Sequence, residues 1–127
     1  MSQKKSPRFT EAELRIMQVL WSLNSGTVAD VAAALPPPPL AYNTVLTILR
    51  ILERKGHVSH KEAGRAYVYS PTTAREAAAQ SAIGHLLSRF FGNSAGALAL
   101  RLIASERPSD EELRRLKSLI ERYEDGV

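Results

Sequence analysis

LAYNTVLTILRILERKGHVSH, residues 40–60, is the stretch that decides the fold. Val45, Ile48, Leu49 and Leu52 recur at helical spacing, which predicts a helix over about Tyr42–Lys55 ended by Gly56. A surface helix usually presents Glu and Lys on its outer side. This one presents Asn43, Thr44, Thr47 and Arg50, and Asn and Thr are poor helix formers. They ask for a reason other than helix stability. Beyond Gly56, HVSHKEAGRAYVYS (57–70) reads as two short β-type runs around a turn containing Gly64, a hairpin, and Pro71 closes the unit.

Upstream, TEAELRIMQVLW (10–21) opens with Thr10 and Glu13 at capping-box spacing, and Leu14, Met17, Leu20 and Trp21 repeat with a helical period. NSG (24–26) stops this helix, with Gly26 as the expected C-terminal residue. Thr27 with Asp30 opens a second helix whose inner stripe is Val28, Val31, Ala32 and Leu35. Pro36 ends it, because the residue before a proline avoids the helical region. PPPPL (36–40) is a stiff, extended connector; a PxxP ligand is the alternative reading of that run.

Downstream, Thr73 with Glu76 predicts a capping box for a helix over about 74–91, with Ala78, Ala82, Leu86 and Phe90 among its apolar positions. A short helix over about 95–104 follows. Pro108, Ser109 and Glu112 open the last helix, where Leu113, Leu116, Ile120 and Tyr123 form a seam with 3-4-3 spacing. Three helices, a hairpin and three more helices predict a mainly α fold with a small β-hairpin wing. The expected organisation is a winged helix-turn-helix DNA-binding domain at residues 1–71 and a helical dimerisation domain at 72–127.

In a helix-turn-helix the second helix enters the major groove, and its N-terminal residues meet base edges. Asn43 can pair bidentately with adenine, and Thr44 and Thr47 can hydrogen-bond or pack a methyl on thymine. Tyr42 and Arg50 can reach phosphate or base edges. The alternative for Asn43 or Thr44 is helix capping, which leaves Thr47 unexplained. Lys61 and Arg65 flank the hairpin turn, where a basic wing contacts phosphates or the minor groove. The alternative there is a solvated hairpin.

Charge agrees with this placement. The chain of 127 residues carries a net +4. Residues 1–70 hold nine Lys/Arg against five Asp/Glu, and residues 71–127 hold eight of each, so the excess lies in the N-terminal half. Residues 1–8 read as a mobile basic arm. MSQKKSPRF has no apolar run of the kind a secretory leader needs, and no stretch approaches the roughly 20 apolar residues that span a bilayer. Cytoplasmic location without membrane insertion is the expectation.

Other chemistry is thin. The chain has no cysteine, which removes disulfides, thiolate metal sites and cysteine nucleophiles. His57 and His60 form an HxxH pair, but positions i and i+3 of a strand face opposite sides, so no metal site is expected. His85 lies in an apolar helical stretch and reads as structural. Phosphate-binding glycine loops and nucleophile elbows are absent from the sequence. No catalytic set, cofactor or enzyme activity is expected.

TEAELRIMQVLW, YNTVLTILRILERKG and GRAYVYSP together resemble the penicillinase-repressor family, over about residues 8–123. The first two motifs are specific; the Ala-rich fourth helix is not. The resemblance implies a winged-helix DNA-binding domain, a helical C-terminal dimerisation domain, and repression by binding palindromic operators as a homodimer. In one branch of the family a membrane-bound sensor detects β-lactams, and repression ends when the repressor is cut at an Asn-Phe bond. The matching bond here is Arg101-Leu102, within ALALRLIAS (97–105). The copper-responsive branch uses a cysteine-rich motif, which this sequence lacks. A homodimeric repressor is therefore the leading reading, with β-lactam-triggered proteolysis and antibiotic resistance as its family context. A regulator released by a small ligand and a winged-helix protein–protein adaptor are the alternatives.

Overall fold

The computed structural model describes residues 9–126; the basic arm expected at residues 1–8, and Val127, lie outside the described residues. The chain divides into two compact units, Met1–His85 and Leu86–Val127. The elements run α1 (Glu11–Leu23), α2 (Val28–Ala34), α3 (Tyr42–Arg54), β1 (Val58–Ala63), β2 (Ala66–Pro71), α4 (Arg75–Phe90), α5 (Ala95–Ser105) and α6 (Asp110–Glu124). The division falls between His85 and Leu86, inside α4. This is a winged helix-turn-helix followed by a helical segment.

Two capping boxes set the first helices in place. Thr10 Oγ1 accepts from the Glu13 amide at 3.1 Å, and Glu13 returns the bond to the Thr10 amide at 2.8 Å. Thr27 and Asp30 repeat the arrangement at 3.0 Å in both directions. Leu35 caps α2 in an extended conformation, as expected before Pro36. The Arg15 guanidinium of α1 donates to the carbonyls of Pro36, at 2.9 Å, and Pro38. Prolines have no N–H, so these carbonyls are the polar backbone groups they offer, and Arg15 ties the connector to α1.

The core is built from Ile16, Met17 and Leu20 of α1, Val28 and Val31 of α2, Val45, Leu49 and Leu52 of α3, and Val58 and Tyr69 of the wing. Each aliphatic side chain fully buried here contributes about 1.5–3 kcal/mol. The inner face of α1 differs from expectation: Leu14 and Trp21 are only half-buried, while Ile16 and Val19 are inside. The run LRIMQVLW has enough apolar positions for either choice, and its neighbours α2, α3 and β2 decide.

Gly26 also differs from expectation. Asn24, at φ 72°, ends α1, and its amide donates to Leu20 O at 2.7 Å. Gly26 instead pairs antiparallel with Tyr69 of β2, with backbone bonds of 3.0 and 2.8 Å. A Cβ on Gly26 would sit 3.2 Å from Asp30 Cβ. Any larger residue there would require Asp30 to shift by a few tenths of an ångström.

β1 and β2 pair antiparallel in the register Val58↔Pro71 to Ala63↔Ala66, with Gly64 and Arg65 as the turn. Gly64 has φ 65°, which suits a two-residue hairpin turn with glycine first. Thr73 does not cap α4 as expected. It is buried, with Oγ1 2.8 Å from His57 Nδ1. Its carbonyl accepts the Trp21 indole N–H at 2.8 Å, fastening the entry to α4 onto α1.

In the second unit Ser94 caps α5, and Ser109 with Glu112 forms the expected capping box on α6. Neither α5 nor α6 buries a residue, and α4 buries none along its length.

One buried polar contact joins the ends of the first unit's three-helix part. Lys55, at the end of α3, reaches Glu13 of α1 at 2.8 and 2.9 Å. Burial pushes the Glu13 carboxyl up, but the Lys55 ammonium and the Thr10 bonds outweigh it and hold it below its ordinary 4.5. The sign follows from linkage: the contribution is complete above the unfolded-state value and disappears as pH falls through the lower folded value. Lys55→Met strands a buried carboxylate and should cost about 2–3 kcal/mol at pH 7 by urea unfolding. The gap to wild type should close as Glu13 is protonated in acid; a gap equally large at pH 7 and below pH 3 would reject the pairing as its source.

Candidate nucleic-acid interface

Helix α3 is strongly two-sided. Val45, Ile48, Leu49 and Leu52 are buried, and Asn43, Thr47 and Arg50 line the opposite, exposed side at i, i+4 and i+7. Arg54 continues that stripe at i+11 and is also exposed. The sequence reading missed Arg54, although the same spacing extended one turn finds it. Tyr42 and Thr44 are exposed in the first turn. Thr47, Arg50, Glu53 and Arg54 line an open concavity beside the helix.

The capping alternative for Asn43 and Thr44 does not hold. The N-cap residue is Ala41, with no side-chain cap bond. Both polar side chains stand inside the helix and exposed, where propensity disfavours them. Thr47 is more specialised than its residue type suggests. Its hydroxyl donates to the Asn43 carbonyl at 2.9 Å, the i−4 bond that threonine makes within helices. That commits the hydroxyl proton and leaves the methyl as the outward feature.

Glu53 places a carboxylate beside this basic stripe, with both oxygens 2.8 Å from His60 Nδ1 on β1. The His60 ring lies 4.5 Å from Tyr67 and 5.5 Å from Tyr69, centroid to centroid. This bracket connects the wing to α3. Burial, then the Glu53 carboxylate, raise the Tyr69 phenol above its ordinary 10.0, so it stays neutral. Lys61 is exposed on β1 opposite Val68, and Arg65 sits in the turn itself, exposed at the wing tip.

His57 and His60 have separate partners, Thr73 and Glu53. Among the described residues no group of three or more His, Cys, Asp or Glu could hold a metal ion. Also among them, no helix is long and apolar enough to cross a membrane.

The seam residues of α6 are accessible. Leu113, Ile120 and Tyr123 are 36%, 55% and 75% exposed, and Leu116 is half-buried. Leu116 and Leu119 share an open apolar groove with Leu102 and Ile103 of α5. Arg101 and Leu102 lie in the middle of α5, and the Arg101 carbonyl accepts from Ser105 Oγ at 2.7 Å.

A helix-turn-helix whose second helix exposes Asn, Thr and Arg, backed by a hairpin wing, defines the winged-helix class of DNA-binding regulators. The penicillinase-repressor family profile matches residues 9–122. A penicillinase repressor from Bacillus licheniformis is 27% identical over 121 residues, covering 94% of both chains. The DNA-binding domain of the repressor BlaI is 32% identical, with a TM-score of 0.52 over 59% of this chain and 93% of that one. YusO from Bacillus subtilis, 16% identical, shares the fold with a TM-score of 0.54, covering 93% of this chain and 76% of that one. The chain belongs to the penicillinase-repressor family and is a transcriptional repressor.

The His60 bracket has a measurable consequence. His60→Ala removes a half-exposed hydrogen bond to Glu53 and two ring contacts, together about 1 kcal/mol. Hydrogen exchange at the Tyr69 and Gly26 amides should accelerate by about fivefold, with the α1 and α3 core amides unchanged. Equal acceleration everywhere would mean that His60 supports the whole unit rather than the wing.

Proposed function

We propose that this repressor binds palindromic operator DNA as a homodimer, with residues 1–71 reading DNA and residues 72–127 pairing the subunits. The observation that carries the reading is the outer face of α3, where Asn43, Thr44 and Thr47 are exposed and cap nothing. In this reading Asn43 and Thr47 meet base edges, with Thr44 beside them. Tyr42, Arg50 and Arg54 hold phosphate or base edges, and Lys61 and Arg65 hold phosphates from the wing. The protein works in the cytoplasm, where its DNA is.

Pairing is supported by the helical unit's exposed apolar surface, which includes Leu113, Ile120 and Tyr123. A two-fold pair sets its recognition helices one or more helical turns apart, roughly 34–36 Å or a multiple, so that each reads half of a palindrome. Release follows from loss of pairing. The Arg101-Leu102 bond is the family's candidate cleavage region, and Leu102 lines the same groove as Leu116. Cutting there, through a membrane sensor-protease pathway, would dismantle that groove. The bond is held in a helix, so a protease reaches it through local opening.

A gel shift with the protein's own promoter region tests DNA binding, and an adaptor that reads no DNA would give none. Finer tests separate the contacts. Thr47→Val keeps the methyl and should keep operator preference, whereas Thr47→Ser and Asn43→Ala should each lose about 1–3 kcal/mol of specific binding. Equal loss on operator and random DNA would remove base reading from these positions. Lys61→Ala and Arg65→Ala should weaken binding to all sequences and lower the salt slope by about one each; an unchanged slope would detach the wing from DNA.

Pairing is tested separately. Leu116→Asp should give monomers by sedimentation at micromolar concentration, with the DNA-binding unit still folded. Operator affinity should fall by a large part of the roughly 10²–10⁴ that joining two half-sites provides. A dimeric Leu116→Asp protein with normal operator binding would overturn the seam assignment.

A further inference from the structure

The first compact unit holds a concavity that includes neither the outer face of α3 nor the seam residues of α6. It lies between α1 and the first turns of α4 and measures about 640 Å³, within the range of small-molecule sites. Phe9 and Trp21 form one side, their rings 6.2 Å apart and nearly perpendicular at 81°. Ala78 and Ala82 of α4 form the other. Arg75 lies at the Trp21 end, its guanidinium carbon 5.6 Å from the indole centroid. Among the described lining residues Arg75 is the one ionisable group, and no carboxylate opposes it.

We propose that this groove binds a small aromatic carboxylate. Phe9, whose ring also lies 4.5 Å from His57, and Trp21, with the Arg75 guanidinium over one face, line the groove with ring surface against which a flat ring can pack. The exposed guanidinium supplies a planar fork that takes a carboxylate through two parallel hydrogen bonds. A cation of the same shape meets Arg75 and is repelled. The site has a mechanical connection too. Trp21, which the ligand's ring would touch, donates its N–H to Thr73 O two residues before α4 begins, so occupancy bears on how α4 is anchored.

Trp21 is the one tryptophan in the sequence, so its indole N–H gives a single, assignable NMR signal. The test titrates the ¹⁵N-labelled full chain with 1-naphthoate and, separately, with 1-naphthylmethylamine. The expected result is a saturable shift of the indole signal with naphthoate and none with the amine. Arg75→Gln, at an exposed position that leaves the core intact, should weaken naphthoate at least about tenfold by losing the charge-assisted contact. Ala82→Leu should fill the groove and abolish the shift. No saturable shift up to millimolar naphthoate, equal binding of the amine, or full affinity retained in both variants would overturn the proposal. A shift that depends on protein concentration alone, with no response to naphthoate, would give the groove to a second copy of the chain and also overturn it. Binding is read here without DNA, so the outcome is independent of operator recognition.

Discussion

Two backbone hydrogen bonds between Gly26 and Tyr69 tie the wing to the helical part of the first unit. A two-stranded hairpin alone is marginal in water. Here β2 gains a second partner from the loop between α1 and α2, while Tyr69 inserts its ring into the helical core. A side chain at residue 26 would press on Asp30 and Leu23, beside the paired strand rather than on it. Once β2 is fixed, β1 is fixed by register, and His60 on β1 meets Glu53 on α3. The wing's position relative to α3 thus runs through the Gly26–Tyr69 pairing and the His60–Glu53 contact.

The same unit handles its buried charge economically. Glu13 closes a capping box with one oxygen and receives Lys55 on both. Acid and base come from opposite ends of a 42-residue separation, so the contact forms only when α1 and α3 are packed. The Arg15 bonds to the proline connector act at the other side of α1. Neither contact adds much hydrophobic energy. Both restrict how α3 can sit, and under the proposed function base reading depends on that placement.

How much of this was legible in the sequence depends on the range of the interaction. α2, α3 and α6 could be read within a residue or two, because their caps and apolar periods are local features. Arg54 lies one turn beyond the polar stripe of Asn43, Thr47 and Arg50, at the same spacing. Gly26, Thr73 and Glu13 were assigned local duties as helix stop or caps. Glu13 does that duty and more; the other two serve partners far away in sequence, Tyr69 and His57, that no local pattern names. The inner face of α1 was ambiguous for a related reason, since six apolar residues in LRIMQVLW fit more than one stripe and tertiary neighbours select among them. The exposed polar face of α3 was legible from composition alone, but only the structure removed capping as its explanation.

The two units place their apolar residues differently, and this has a consequence for dosage. The reading unit buries its large aliphatics within one chain, so its folding does not depend on how many copies are present. The helical segment buries none of its own. Under the proposed pairing, the competent species forms by a second-order process, and well below the dissociation constant its population scales with the square of chain concentration. Halving the number of chains would then cut the dimer about fourfold, and a modest fall in synthesis would open the promoter more sharply than a monomeric binder could.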